Sequence, residues 1–73
     1  MAEVNIVTEI AASVWKLEAA PGAAIAAGDV VMILESMKME IPVEATRAGV
    51  LKAFLVAEGD SVVEGQAVAV LEV

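Results

Sequence analysis

The 73-residue sequence contains no cysteine and no histidine. The absence of cysteine excludes disulfides, thiol nucleophiles and thiolate metal ligands. The absence of histidine removes the side chain that most often acts as a general base near neutral pH. An ordinary enzyme also needs a cleft with converging polar groups, and so short a chain offers little material for one. The composition therefore argues against catalysis and against a Cys or His metal site.

Basic residues are also scarce, because 4 Lys and Arg stand against 11 Asp and Glu, for a net charge of −7. Such a surface repels phosphate groups, so we expect neither a nucleic-acid partner nor an anionic membrane partner. The apolar residues form no run long enough to span a bilayer, and Met1–Val4 carries no basic or apolar signal segment. We expect a cytoplasmic protein that is a monomer on its own.

The length allows one domain, which we assign to residues 1–73. Val and Ile recur between Gly-containing turns, a pattern typical of many short strands. A helix over the Ala-rich segment Ala19–Ala27 is disfavoured, because Pro21, Gly22 and Gly28 interrupt it. The expected strands are Val4–Ile10, Ser13–Glu18, Val30–Glu35, Glu40–Glu44, Gly49–Val56 and Ala67–Glu72, with short extended pieces near Ala23–Ile25 and Ser61–Val63.

The second half of the sequence repeats the first. The matched segments are Ser13–Lys16 with Gly49–Lys52 and then, after one extra residue in the second copy, Gly22 with Gly59, Ile25 with Val62, Gly28 with Gly65 and Val31–Glu35 with Val68–Glu72. In this alignment Leu34 and Leu71 are matched core positions, and Lys16 and Lys52 are matched solvent-facing positions. Half-domains that cannot bury their apolar faces alone pack against each other. We therefore expect an all-β fold, a flattened β sandwich or barrel of about eight short strands with an internal pseudo-twofold repeat.

Between the two copies lies the hairpin Glu35–Glu40, which has no counterpart in the second copy and should lie at one end of the fold. Lys38 stands at its centre between Met37 and Met39, so we expect the lysine to project into solvent. An ordinary lysine, of pKa about 10.4, is deprotonated in only about one molecule in a few thousand at pH 7. A lysine at a hairpin tip therefore suits an acceptor role, in which an enzyme supplies the base and an activated acyl group.

The segment Glu35-Ser36-Met37-Lys38-Met39-Glu40 resembles the biotin-attachment motif of biotin carboxyl carrier domains. The resemblance extends to the glycine turns and the repeat, and so covers nearly the whole chain. It implies that biotin protein ligase joins biotin covalently to Lys38. It further implies a non-catalytic swinging arm that serves a biotin carboxylase and a carboxyltransferase, the partners found in enzymes such as acyl-CoA carboxylases.

Two departures from the larger carriers of that family concern the chain around the motif. The sequence starts almost at its first strand, and the Glu18–Ile25 connection is too short for the "thumb" insertion that some carriers have. The chain therefore resembles the free-standing, single-domain type. Ser36 replaces the more frequent Ala, which is a change between two small residues.

Other residues of the segment have competing interpretations. The exposed, adaptable side chains of Met37 and Met39 are candidates for recognition by the ligase and by partners. Glu40 could contribute to that recognition or be merely solvated. Glu35 is interpreted as structural, because Glu72 matches it in the second copy, where no lysine follows.

The aromatic residues and the whole chain also have alternative interpretations. Trp15 and Phe54 are expected in the core or at its rim, and Met32 in the core. The first alternative function is a lipoyl carrier of a 2-oxoacid dehydrogenase-type complex, since that family shares the fold and a hairpin lysine. The methionines flanking Lys38 argue against this alternative. The second is an unmodified β interaction module.

Overall fold

The computed structural model describes residues 2–73 as two four-stranded antiparallel sheets. The strands are β1 (Glu3–Val7), β2 (Ala12–Leu17), β3 (Ala24–Ile25), β4 (Val30–Ser36), β5 (Met39–Glu44), β6 (Gly49–Phe54), β7 (Ser61–Val62) and β8 (Ala67–Glu72). The first sheet has the order β1-β8-β6-β3 and the second the order β5-β4-β2-β7. The molecule measures 37 × 18 × 18 Å. The expected all-β sandwich of eight strands is confirmed. Over residues 2–73 no helix is long and apolar enough to cross a membrane.

Several strand ends differ from the predicted ones. β1 ends at Val7 rather than at Ile10. The backbone of Thr8 still bonds to the turn before β8, donating to the Gln66 carbonyl (3.0 Å) and accepting from the Gly65 N–H (2.8 Å), but its side chain bonds locally. Its buried hydroxyl donates to the Ile10 carbonyl (3.0 Å) and accepts from the Ile10 N–H (3.3 Å). β6 likewise ends at Phe54 instead of Val56. Smaller shifts of one residue affect the bounds of β2, β3, β4, β5 and β7.

The two halves are related by a pseudo-twofold with a constant offset of 37 residues. The N–H of Val14 donates to the Asp60 carbonyl (2.8 Å), and the N–H of Leu51 donates to the Ala23 carbonyl (3.0 Å). Leu51 lies 37 positions after Val14, and Asp60 lies 37 positions after Ala23, so the second bond is the symmetry counterpart of the first. The predicted repeat is thus confirmed, and the symmetry exchanges the two sheets.

The register of the repeat at β2 and β6 differs from the sequence alignment by one residue. Val14 corresponds to Leu51. Val14 pairs with Leu34, Leu51 pairs with Leu71, and all four are buried. No extra residue is needed, because the register shifts just after Val14 and again, at the equivalent place, just after Leu51. The predicted equivalence of the two lysines was therefore wrong, since Lys52 corresponds to Trp15. A one-residue error exchanges the two faces of a strand.

The core lies between the sheets and is wholly aliphatic apart from methionine. Its buried members are Ile6, Val14, Ile25, Val31, Met32, Leu34, Val43, Ala45, Leu51, Val62, Val68, Ala69 and Leu71. The core positions predicted for Met32, Leu34 and Leu71 are confirmed, because each is 0% exposed. Phe54 packs half-buried against this cluster. Trp15 is 44% exposed and lies outside the core.

Gly49, at the start of β6, is required by a close backbone contact. A Cβ at this position would lie 2.5 Å from the Glu72 carbonyl oxygen and 3.0 Å from Cγ1 of Val73. Gly49→Ala should therefore destabilise the domain by about 1–3 kcal/mol, because the strands must move apart. Urea denaturation measures the effect. A variant as stable as the wild type, or more stable, would show that the contact relaxes, since Gly→Ala in unstrained backbone adds about 0.4–1 kcal/mol.

Candidate functional site

The β4–β5 hairpin closes with a two-residue turn made of Met37 and Lys38. Ser36 and Met39 are the last paired residues, so Met39 belongs to β5 rather than to the loop. Both turn residues have positive φ, 51° for Met37 and 66° for Lys38. Positive φ at both central positions is what a type I′ hairpin turn requires. The twist of the flanking strands therefore selects the left-handed backbone at Lys38.

This turn is built from unfavourable residue types. Type I′ turns favour Asn, Asp and Gly, and a left-handed residue with a Cβ costs roughly 1–2 kcal/mol. Among residues 2–73 only Met37 and Lys38 have positive φ without being glycine. Strained backbone of this kind concentrates at functional sites, where the surrounding structure holds it in place. Here the paired strands fix the position and direction of the Lys38 stem.

The side chains at the tip are strongly exposed. Met37 is 91% exposed and Met39 is 64% exposed, whereas Met32, five residues before Met37, is 0% exposed. Lys38 is also exposed. Exposing two methionines loses the stabilising free energy that burial of their apolar surface would provide. The tip is thus an accessible amine between two soft apolar side chains.

Two carboxylates face each other just behind the tip. Glu35 on β4 and Glu40 on β5 are direct cross-strand partners, and both are exposed. Like charges directly opposite each other destabilise a sheet. Neither carboxylate, nor Lys38, takes part in a salt bridge within the described part of the chain. The lysine is therefore not held by an intramolecular ion pair.

The prediction that the whole segment Glu35–Glu40 lacks a counterpart was too broad. With the 37-residue offset, Glu35 corresponds to Glu72, as predicted, and Glu40 corresponds to Glu3. Both pairs occupy matching strand positions. What the described second copy lacks is the two-residue turn that contains Lys38.

Ala2 and Val73 meet where the second copy would carry such a turn. The N–H of Ala2 donates to the Val73 carbonyl (3.1 Å), and the N–H of Val73 donates to the Ala2 carbonyl (2.9 Å). This pair is the counterpart of Ser36 and Met39. Because the pseudo-twofold exchanges the sheets, it carries the hairpin end of the molecule onto the terminal end.

A groove elsewhere on the molecule does not involve the hairpin tip. It has a volume of about 620 Å³ and runs between the end of β1 and the strand β5, with Val7–Ile10 on one side and Ile41–Thr46 on the other. Lys38 does not line it. Over residues 2–73 no group of three or more acidic side chains is placed to hold a metal ion. The chemistry available at the tip is that of a solvent-facing primary amine.

Two features of the site were missed from the sequence. The left-handed turn was missed because Met and Lys are not turn-forming residues. The exposure of Trp15 was missed because a large apolar side chain was assigned to the core or its rim. Its alternation with the buried Val14 along β2 was the available signal.

Both the sequence and the fold of the chain match those of known proteins. The biotin/lipoyl family model, described as biotin-requiring enzyme, matches residues 3–72. The chain is 45% identical over 71 residues to a biotinylated protein TB7.3 homolog of Mycobacterium leprae, covering 97% of this chain and 99% of that protein. It superposes on Kluyveromyces lactis urea carboxylase with a TM-score of 0.92 and 38% identity, covering 99% of this chain but 6% of that protein. It superposes on the lipoyl domain of the Azotobacter vinelandii 2-oxoglutarate dehydrogenase complex with a TM-score of 0.70 and 26% identity, covering 85% of this chain and 78% of that domain.

Proposed function

The chain belongs to the biotin/lipoyl family, and on that premise we propose that it is a biotin carboxyl carrier with biotin joined to Lys38. The observation that carries the proposal is the exposed lysine in a strained two-residue turn, flanked by exposed Met37 and Met39. In the attachment reaction an amide bond forms between the lysine Nζ and the biotin carboxyl carbon. The bond to the activating group breaks, and the ligase removes the proton from the amine.

The residues at the tip fit this modification. An amide requires an accessible primary amine and no cavity, and the turn supplies an exposed amine that forms no salt bridge with either carboxylate behind it. Biotin, when bound, supplies the group that carries a carboxyl unit between partner enzymes. Lys38 contributes a four-carbon stem, and the rigid hairpin defines where that stem begins. Met37, Met39 and Glu40 are proposed to contact the ligase and the partners.

The proposed partners are a biotin protein ligase, a biotin carboxylase and a carboxyltransferase. Tethering makes each delivery intramolecular, at an effective concentration on the order of millimolar. Catalysis is assigned to the partners, because the tip presents an exposed amine that lines no groove in which a substrate could be held. We further propose that residues 1–73 act as one cytoplasmic, monomeric domain, which leaves the tip free to enter successive active sites.

The lipoyl alternative is less favoured. The fold does not discriminate, because a lipoyl domain shares it with a TM-score of 0.70. The higher sequence identities lie with the biotinylated Mycobacterium leprae protein and the urea carboxylase. The exposed methionines on both sides of Lys38 also argue against the lipoyl alternative.

Intact mass after co-expression with a biotin protein ligase tests the proposal. We expect one biotinyl group per chain, detectable with streptavidin after denaturation and mapped to Lys38. The net charge should move from −7 to −8, because a neutral amide replaces the ammonium. Lys38→Ala should abolish labelling and change stability by less than about 0.5 kcal/mol, as surface substitutions usually do.

The control variant is Lys52→Ala, which should be labelled at the wild-type rate, and in the wild type neither Lys16 nor Lys52 should carry a label. A label mapped to either of those lysines would contradict the assignment. A lipoyl mass on Lys38 would favour the dehydrogenase-type alternative, and an unmodified chain in the presence of active ligase would favour an interaction module.

A further inference from the structure

Because the pseudo-twofold relates the two sheets, the side chains at equivalent strand positions can be compared directly. On the outer face of the first sheet, the ammonium of Lys52 on β6 forms a salt bridge with Glu3 on β1. The pair reaches across β8, which lies between these strands. The hydrogen bond and the charge of Glu3 raise the pKa of Lys52. Side chains at these two strand positions can therefore meet on the surface of the sheet.

At the same two positions of the second sheet stand Trp15 on β2 and Glu40 on β5. An indole thus replaces the cation, and Glu40 takes part in no salt bridge within residues 2–73. Trp15 is 44% exposed, and the Nζ of Lys16 lies 5.4 Å from its ring centroid. The sheet that carries the hairpin therefore presents a large apolar ring and a carboxylate without a cation, in place of a neutralised pair.

We propose that Trp15 and Glu40 form a docking surface for the biotin protein ligase, whose complementary element is a lysine or arginine set in an apolar surround. The inference rests on the proposed function, because it requires Lys38 to be the ligase substrate. The cation would pair with Glu40, and the surrounding apolar groups would cover the indole.

Charge and composition favour an occupant of this chemistry. The chain carries a net charge of −7, so a cationic partner is also attracted over distance. Tryptophan and arginine are the residue types most enriched among the energetically dominant contacts of protein interfaces. An exposed tryptophan next to an unmatched carboxylate provides one half of such a contact.

The location favours the ligase over the carboxylating enzymes. A ligase must hold the Lys38 amine itself within about 3–3.5 Å of the acyl carbon, so its contact area has to include the turn. The other partners act at the far end of the attached arm. A standard interface covers about 800 Å² of each protein, against a total accessible surface of 4301 Å² here. A footprint that starts at the turn and includes Glu40, two residues away, can continue across β4 to Trp15.

The test is Trp15→Lys, which recreates in the second sheet the lysine–glutamate pair of the first. The variant should fold, because the same pair already exists at the equivalent positions. In a steady-state ligase assay, the KM for the carrier should rise at least 10-fold while kcat stays within twofold. The matched control is Lys52→Trp, the reverse exchange on the sheet without the hairpin, which should leave both constants unchanged.

A second pair of variants tests the charge. Glu40→Gln should raise the KM for the carrier and flatten its dependence on salt between 50 and 300 mM, about the range over which exposed charges become screened. Glu3→Gln should do neither. A wild-type KM for Trp15→Lys, or an equal effect of Lys52→Trp, would overturn the docking surface while labelling of Lys38 upheld the carrier function. Absence of Lys38 labelling in the wild type would overturn both.

Discussion

Exchanging Lys38 and Met39, by Lys38→Met with Met39→Lys, should leave the fold intact and lower the rate of biotin labelling by orders of magnitude. The double variant keeps the composition and the net charge. Both side chains are exposed, so their exchange should not disturb the core. The variant separates the identity of the acceptor from its position.

The expected loss follows from the backbone. Lys38 has a φ of 66° at the second position of the turn, whereas Met39 lies in β5, paired with Ser36. An amine at position 39 would start one Cα further along and leave the backbone in a different direction. Amide formation requires the amine near attack distance and correctly oriented, about 3–3.5 Å from the acyl carbon. The flexible stem can recover distance but not the direction of approach.

A timed ligase assay on the exchanged protein measures this effect, with circular dichroism to establish that it is folded. Lys52→Ala is a suitable control, because it removes an exposed lysine from the other sheet without moving the amine of Lys38. Labelling of the exchanged protein at the wild-type rate would mean that the ligase needs only an accessible lysine near methionine. The argument from the strained turn would then be wrong.

Leu34→Ala and Leu71→Ala should each destabilise the domain by about 2–5 kcal/mol. Both leucines are fully buried at positions related by the pseudo-twofold. Each truncation removes apolar contacts and leaves a cavity between the sheets. The total stability of a domain this size is on the order of 4–11 kcal/mol at 0.05–0.15 kcal/mol per residue. Either variant therefore loses a large part of it, and the midpoint of thermal unfolding should fall by more than about 8 °C.

The matched control is Leu55→Ala, since Leu55 is 53% exposed. It removes the same atoms from a partly solvated site and should lose clearly less stability. Urea denaturation of the three variants provides the comparison. Equal losses for Leu34→Ala and Leu55→Ala would contradict the assignment of the core. Unequal losses for the two buried leucines would measure how far the halves differ in their ability to relax.

The strands and the repeat could be predicted because their signals are local and redundant. Gly22 and Gly59, 37 residues apart, both adopt a φ of 93°. Such turns mark the ends of segments whatever the pairing, so the strand count was right. Pairing itself depends on hydrogen bonds between distant residues. For that reason the register at Val14 and Leu51 was misread by one residue, since the bulges that follow both have no sequence signal.

The candidate site could be predicted in part. The exposure of Lys38 and its two methionines was predicted correctly, because that segment interrupts the repeat. The left-handed turn was not predicted. The positive φ at Met37 and Lys38 is imposed by the twist of the paired strands that the turn connects, rather than by the two residues themselves. The outer face beside it was also missed. The misread register paired Lys16 with Lys52, which concealed that Trp15 occupies the position of a paired lysine.

The pairing of Ala2 with Val73 makes this fold suited to insertion into another chain. Ala2 and Val73 exchange both of their backbone hydrogen bonds, as a hydrogen-bonded antiparallel pair does, so their Cα atoms lie about 5.5 Å apart. A host protein could therefore receive the domain as an insertion in a single surface loop, without separating the two points of attachment. The same proximity would let a short peptide close the backbone into a ring. In either arrangement the points of attachment would lie at one end of the domain and Lys38 at the other, so the attachment would leave the hairpin tip exposed.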